Sequence, residues 1–167
     1  YDANFFFLFY NKKIGSIQKV DSLFNIYRYK TNLSNSGSLG IESFIEVDIV
    51  KCINENSPFG FSLFSNLTYT NAVYLKSQNK QIEGKKVEFA PQWIFRGGIG
   101  FKYKTLALAW QVSTLSQQFT DATNAKYAST AIIGTIPSYY VMDLSASYSY
   151  KFLKLSCSIN NMSNNTY

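Results

Sequence analysis

The sequence predicts an all-β chain: about seven strands of a transmembrane antiparallel β-barrel. Three observations carry this. Apolar and polar residues alternate with period two over long stretches, the mark of strands with unlike faces. Charged residues make up only 16% of the 167 residues, and aromatic residues reach 17%, against about 25% charged in a soluble domain. No run approaches the ~18 consecutive apolar residues of a membrane helix; the longest aromatic run, Phe5 to Tyr10, is far too short. A barrel crosses a bilayer with alternating strands, so a weak hydropathy signal is what it should show.

The clearest strand is 139–150. Its even positions Tyr140, Met142, Leu144, Ala146, Tyr148 and Tyr150 are apolar or aromatic, and Asp143, Ser145, Ser147 and Ser149 stand opposite. About ten steps of ~3.3 Å, tilted by ~40°, rise about 25 Å, the height of an outer-membrane apolar band. Strand 91–103 sets Trp93, Phe95, Ile99, Phe101 and Tyr103 against Ile94, Arg96 and Lys102. Strand 105–118 sets Leu106, Leu108, Trp110 and Val112 against Ala107, Ala109, Gln111 and Ser113. Strand 153–162 sets Leu153, Leu155, Cys157 and Ile159 against Lys154, Ser156 and Ser158. Strand 59–75 opposes mostly Phe, Leu, Tyr and Val to Ser62, Asn66, Thr68 and Thr70. Strand 33–51 opposes Ile41, Ile45, Val47 and Ile49 to Glu42, Glu46 and Asp48. The first strand, 3–17, is apolar on both sides near Phe5 to Tyr10, so its inward side stays open. Connections 18–32, 76–90 and 119–138 read as long outer loops, and those at 54–58, 103–105 and 151–152 as tight periplasmic turns.

The net charge is +6, but the cations are scattered, with no basic run or helix of the kind nucleic acid binding needs. There is no His, which removes the commonest general base and metal ligand. Cys52 and Cys157 lack metal-ligand spacing and read as separate thiols. No nucleophile–base pair stands out, so neither an enzyme nor a bound cofactor or metal is expected. The chain opens in a strand-like run and closes in a polar stretch at Asn160–Tyr167, and it reads as part of a longer protein. Seven strands alone would leave two unpaired edges in hydrocarbon, so further strands must close the wall. Charges on the polar sides (Glu42, Glu46, Asp48, Arg96, Lys102, Asp143) favour a wide, wet or plugged interior over a tight one.

Four segments occur in an order that resembles the late barrel of TonB-dependent outer-membrane receptors. They are Gly40-Ile41-Glu42, the loop exit Gly84-Lys85-Lys86-Val87-Glu88-Phe89-Ala90-Pro91, the run Ile136 to Ser145, and the strand end Ile159 to Tyr167. The opening Phe9 to Gly15 is similar to members related to ferric dicitrate transporters. The resemblance spans nearly the whole chain, 1–167. It implies a barrel of about 22 strands closed around an N-terminal plug. It also implies TonB as the energy-coupling partner through that plug, a ferric siderophore or similar chelate as ligand, and the outer membrane as location. This chain would supply roughly strands 15 to 21, without the plug, the early strands or the last strand.

That resemblance puts ligands against outer loops and the upper interior. Candidate contacts are then Lys76, Lys80, Lys85 and Lys86 in one loop, Asp121, Asn124, Lys126 and Tyr127 in the next, and inward-pointing Arg96. Loop cations can steer an anionic chelate, and Arg can clamp a carboxylate in two hydrogen bonds. The plainer reading is that the lysines solvate a surface near anionic glycolipid, and that Arg96 makes an ion pair inside the barrel. Tyr69, Trp93, Tyr103, Trp110, Tyr140, Tyr148 and Tyr150 read as aromatics of the membrane interfaces, in contact with lipid. Two rivals stay open: a passive porin-like or small structural barrel, and a soluble extracellular β-sandwich binding module.

Overall fold

The computed structural model describes residues 1–77, 79–127 and 134–166. Among these residues nine strands and one short helix follow in order: β1 (Asp2–Val20), β2 (Ile26–Asp48), α1 (Ile49–Ile53), β3 (Phe59–Tyr74), β4 (Trp93–Tyr103), β5 (Leu106–Leu115), β6 (Gln118–Phe119), β7 (Thr135–Ile136), β8 (Tyr139–Tyr150) and β9 (Leu153–Ile159). Seven of them form one antiparallel meander in the order β1-β2-β3-β4-β5-β8-β9, and β6 and β7 pair apart as a small hairpin. Each strand of the meander pairs with the next one along the chain, β5 with β8 once the small β6–β7 hairpin is set aside.

Residues directly opposite in a sheet share a face, so the register tests the alternation. Arg96 lies opposite Asn66 and Ser113. Asp143 lies opposite Gln111, and Glu42 opposite Asn4 and Thr68. Following these pairs across the sheet places Glu42, Glu46, Asp48, Arg96, Lys102 and Asp143 on one polar face. The other face collects Phe5, Ile41, Leu67, Phe95, Trp110, Leu144 and Leu155. Among the described residues no second layer covers it: Phe5 is 82% exposed, and Ile99, Leu144 and Leu155 are exposed too. A β-sandwich would have buried that face.

The register also settles β1. Phe5, Phe7 and Phe9 join the apolar face, and Phe6, Leu8 and Tyr10 the polar one. Phe6 can lie there because its partner is Gly40, where an added Cβ would come within 2.2 Å of the ring. Phe64 similarly covers Gly98, whose Cβ would meet the ring at 2.7 Å and the Trp110 carbonyl at 2.4 Å. Glycine lets a large ring lie flat on a polar wall.

Several boundaries differ from those read in the sequence. The stretch 18–32 is not a loop. β1 and β2 run on through it and turn only at 21–25. One register shift adds a residue to β1 at Asn11–Lys12, and a second adds one to β2 at Leu33. The bulges reset the alternation, so a strict period-two reading breaks off there. The turn is held by Asp21, which accepts from the backbone N–H of Leu23 and Asn25 (both 2.8 Å) and from the Asn25 amide. The Asn25 hydrogen bonds hold the Asp21 carboxyl below its usual range. β2 stops at Asp48, whose side chain accepts from Lys51 N–H at 3.1 Å and caps α1. β9 stops at Ile159, because Asn161 turns at φ 50° and its N–H donates to the Asp143 carboxylate.

The two tightest turns repeat one device. Lys104 and Lys151 each take φ near +50° and set their amino group 5.2 and 5.4 Å from the rings of Tyr103 and Tyr150. A cation over an aromatic face suits the headgroup boundary. Cys52 and Cys157 are both free and exposed.

Candidate functional site

Among the described residues the buried core lies where the end of β3 meets the connections that fold against it. Ala72, Tyr74, Ile82, Val87 and Ala122 form the cluster, with Ile17, Leu33 and Ala90 packed against it. Tyr74 ends β3, five residues past Tyr69. Its hydroxyl donates to Glu88 Oε2 at 2.6 Å, and Glu88 Oε1 accepts from Ser16 N–H at 3.1 Å. One carboxylate thus ties the β1–β2 hairpin, β3 and the loop 75–92 together. Gly15 makes this contact possible: a Cβ there would come within 2.4 Å of the Tyr74 hydroxyl and 2.8 Å of Glu88.

The next connection docks on the same spot. Ala122 N–H donates to the Ser16 carbonyl at 3.2 Å, and Phe89 N–H to the Phe119 carbonyl at 2.9 Å. Asn124 mimics a strand: its Oδ1 accepts from Lys86 N–H at 2.7 Å and its Nδ2 donates to the Lys86 carbonyl at 2.8 Å. Two buried oxygens, Ser36 Oγ and Asp121 Oδ1, find no partner among the described residues, and each subtracts from what burial gains here.

The sequence-predicted contacts divide sharply on this geometry. Asp121 is 1% exposed, with Oδ2 accepting from the Thr123 hydroxyl at 2.6 Å. Asp121 is therefore turned away from solvent, and half-buried Asn124 spends its amide on the Lys86 backbone, so both shape the loop. Lys80 pairs with Glu83 at 2.8 Å and holds the Glu83 carboxyl below its usual range. Lys86 donates from its amino group to Gln92. Lys76, Lys85, Lys126 and Tyr127 are exposed. Arg96 stands on the polar face and donates from Nε to Ser113 Oγ at 3.3 Å. Among the described residues it makes no ion pair, since Lys80–Glu83 is the sole salt bridge there. Gln78, residues 128–133 and Tyr167, which fall in the candidate loops and the matching strand end, lie outside the described residues.

All seven aromatics expected at the membrane interfaces share the apolar face. Tyr69 and Trp93 meet at one end, ring centroids 4.4 Å apart, with Tyr140 near that end. Tyr103, Tyr148 and Tyr150 mark the other. Trp110 departs from the expectation. It sits mid-strand, opposite Ile99 and Leu144, so it belongs to the apolar band and not to its border. Sequence reasoning missed Ser16, Tyr74 and Glu88, which meet only in the folded chain.

Burial, and next the hydrogen bond and charge of Glu88, push the Tyr74 phenol far above its ordinary value. A raised pKa in the folded state stabilises the neutral form. Its contribution is whole below the unfolded value near 10 and is lost as pH climbs from there toward the folded value. Hydrogen exchange at the Ser16 and Ala122 amides should therefore accelerate above about pH 10 beyond its intrinsic base dependence. Tyr74→Phe should remove that excess; an excess unchanged in the variant would place its origin elsewhere.

A one-sided antiparallel meander, aromatic at both borders and polar on its second face, defines a sector of transmembrane β-barrel wall. Comparison with known proteins gives its kind. The family model "TonB dependent receptor-like, beta-barrel" matches residues 2–162, and the chain belongs to that family. Among solved structures it is similar to the unliganded ferric citrate transporter FecA, with TM-score 0.78 and 18% identity over 99% of this chain and 24% of that one. It is also similar to the siderophore receptor PirA from Acinetobacter baumannii, with TM-score 0.60 and 13% identity over 97% of this chain and 25% of that one. The chain thus spans about a quarter of each, and at these identities the likeness shows the fold. No match emerges among the curated proteins.

Proposed function

We propose that the whole protein is an outer-membrane receptor that imports a ferric chelate, a siderophore complex or ferric citrate, with energy from TonB acting through a plug inside the barrel. The carrying observation is the pairing of a lipid-ready apolar face with a charged polar face whose outer end is roofed by docked connections. A wall built this way separates hydrocarbon from a polar interior. The connections dock against the polar face, the side on which a receptor would hold its ligand. Exposed Lys76, Lys85 and Lys126 on the docked connections supply positive charge for steering an anionic chelate, and Arg96 supplies a fork of donors on the interior wall.

The test uses the full-length product in its host. It should fractionate with the outer membrane, and uptake of radiolabelled iron as a citrate or siderophore complex should vanish on deletion of the receptor gene and equally on deletion of tonB. Uptake that persists without TonB would establish a passive barrel, and recovery in the cytosol would end the membrane reading altogether.

A further inference from the structure

The β1–β2 hairpin carries side chains that neither the membrane nor the buried cluster uses. Tyr29 lies opposite Ile17, eight residues past Phe9, the last outward aromatic of β1. Eight residues at ~3.3 Å place it about 26 Å further along the strand, beyond any interface girdle. The side to which its ring belongs is fixed by Gly15. An added Cβ at Gly15 would meet Tyr74, Leu33 and Glu88, so that side of the hairpin continues the polar face of the wall. Alternation then puts Ile17, Lys19, Tyr27 and Tyr29 on the same side. The bulge at Asn11–Lys12 brings Tyr10 and Lys13 into line with them, with the Lys13 amino group 5.1 Å from the Tyr10 ring centroid. Lys19 sits 4.0 Å from the Tyr29 centroid, and Tyr27 meets Tyr29 edge to face at 6.5 Å.

This strip therefore holds three tyrosines and two lysines, and the one carboxylate that meets it among the described residues, Glu88 at Gly15, is taken up by Tyr74 and Ser16. Tyr27 and Tyr29 are 43% and 39% exposed, so their rings are not consumed by packing. Each lysine held over a ring keeps N–H donors free for an anion. The middle of the strip, at Gly15 and Ile17, packs against Tyr74, Glu88 and the buried cluster, which fixes the hairpin before any ligand arrives.

We propose that this inner side of the hairpin is a ligand-contact strip selective for anionic chelates that carry aromatic rings, that is, catecholate-type ferric complexes, over ring-free hydroxycarboxylate complexes. The inference rests on the uptake reading above and narrows its ligand class. The lysines neutralise the chelate's negative charge, which either complex offers. The tyrosines add ring contacts that only an aryl chelate can return.

Equilibrium binding to the purified full-length receptor tests it, with the ferric complex of 2,3-dihydroxybenzoate and ferric citrate as the two probes. Wild type should bind the aryl complex more tightly. The double variant Tyr27→Leu/Tyr29→Leu should weaken the aryl complex about tenfold and leave any citrate binding within about twofold. Lys13→Ala/Lys19→Ala should weaken the aryl complex by a similar factor, less at high salt. Heat-modifiable migration on gels checks that each variant still folds. Preference for citrate, or an unchanged aryl affinity in the tyrosine variant, overturns the strip and leaves the uptake reading standing. Failure of the wild type to bind the aryl complex likewise overturns the strip, while the uptake reading stands or falls by the transport test above.

Discussion

Leu144→Arg is expected to block assembly of the full-length barrel, and Gln111→Arg to leave it intact. The two sites are close neighbours, since Gln111 lies opposite Asp143, the residue before Leu144. They differ in face. Leu144 lies opposite Trp110 and Ile159, in the middle of the apolar band. A cation there faces the bilayer midplane, at a cost of roughly 2–4 kcal/mol on a barrel exterior. Against a typical net stability of about 5–15 kcal/mol, that is enough to lower the folded yield severely. Gln111 already donates to Asp143 Oδ2 at 3.4 Å. Arginine there would meet the same carboxylate with a full charge, in water or against a polar filling. The measurement is heat-modifiable migration of each full-length variant, followed by guanidinium unfolding in lipid vesicles. Equal folding of the two variants would mean that the faces have been assigned wrongly, and the membrane reading would go with them.

The same two residues show why the sheet was legible in advance. Wherever the polar face is small or charged, as at Ser145, Ser147, Ser156 and Ser158, the alternation reads directly as inside and outside. It failed where large side chains stand on the polar face. Phe6 and Leu8 made β1 ambiguous, and the resolving partner, Gly40, sits 34 residues away in sequence, on β2. Alternation breaks again at the two bulges, which shift the phase of Gln18 to Lys30, so the hairpin has the sequence pattern of a loop and Lys19, Tyr27 and Tyr29 do not line up in it. The preference of Trp for interfaces predicts a border place for Trp110, whereas its place in β5 is central. The candidate site was the least legible part. Ser16 and Glu88 are 72 residues apart, and no local pattern couples them. The one available hint was Asp121 followed by Thr123 and Asn124, a set of side chains that bond nearby backbone and build turns. That signal speaks for structure before ligand contact, and the burial of Asp121 agrees with it.

Glu88→Ala should release the docked connections without unfolding the wall. Glu88 accepts from the buried Tyr74 hydroxyl and from Ser16 N–H. Removing the carboxylate leaves both donors unsatisfied, at about 1–3 kcal/mol each, less whatever water enters to repair. The cluster holding these segments is small, with Ile82, Val87 and Ala122 at its centre, so little else opposes the loss. The strands are zipped by their own ladders, and their opening free energy should not change. At a net loss of about 3 kcal/mol, the open population of the connections rises on the order of a hundredfold. Hydrogen exchange in the full-length receptor reads this directly: the Ala122, Lys86 and Ser16 amides should accelerate, and amides within β4, β5 and β8 should hold their rates. Gly15→Val should give the same pattern by another route, since its side chain would collide with Tyr74 and Glu88. Exchange rising evenly over the whole sheet would make Glu88 a residue of global stability. No change at Ala122 would mean that the connection 116–127 docks independently of Glu88, and that the three segments do not act as one roof.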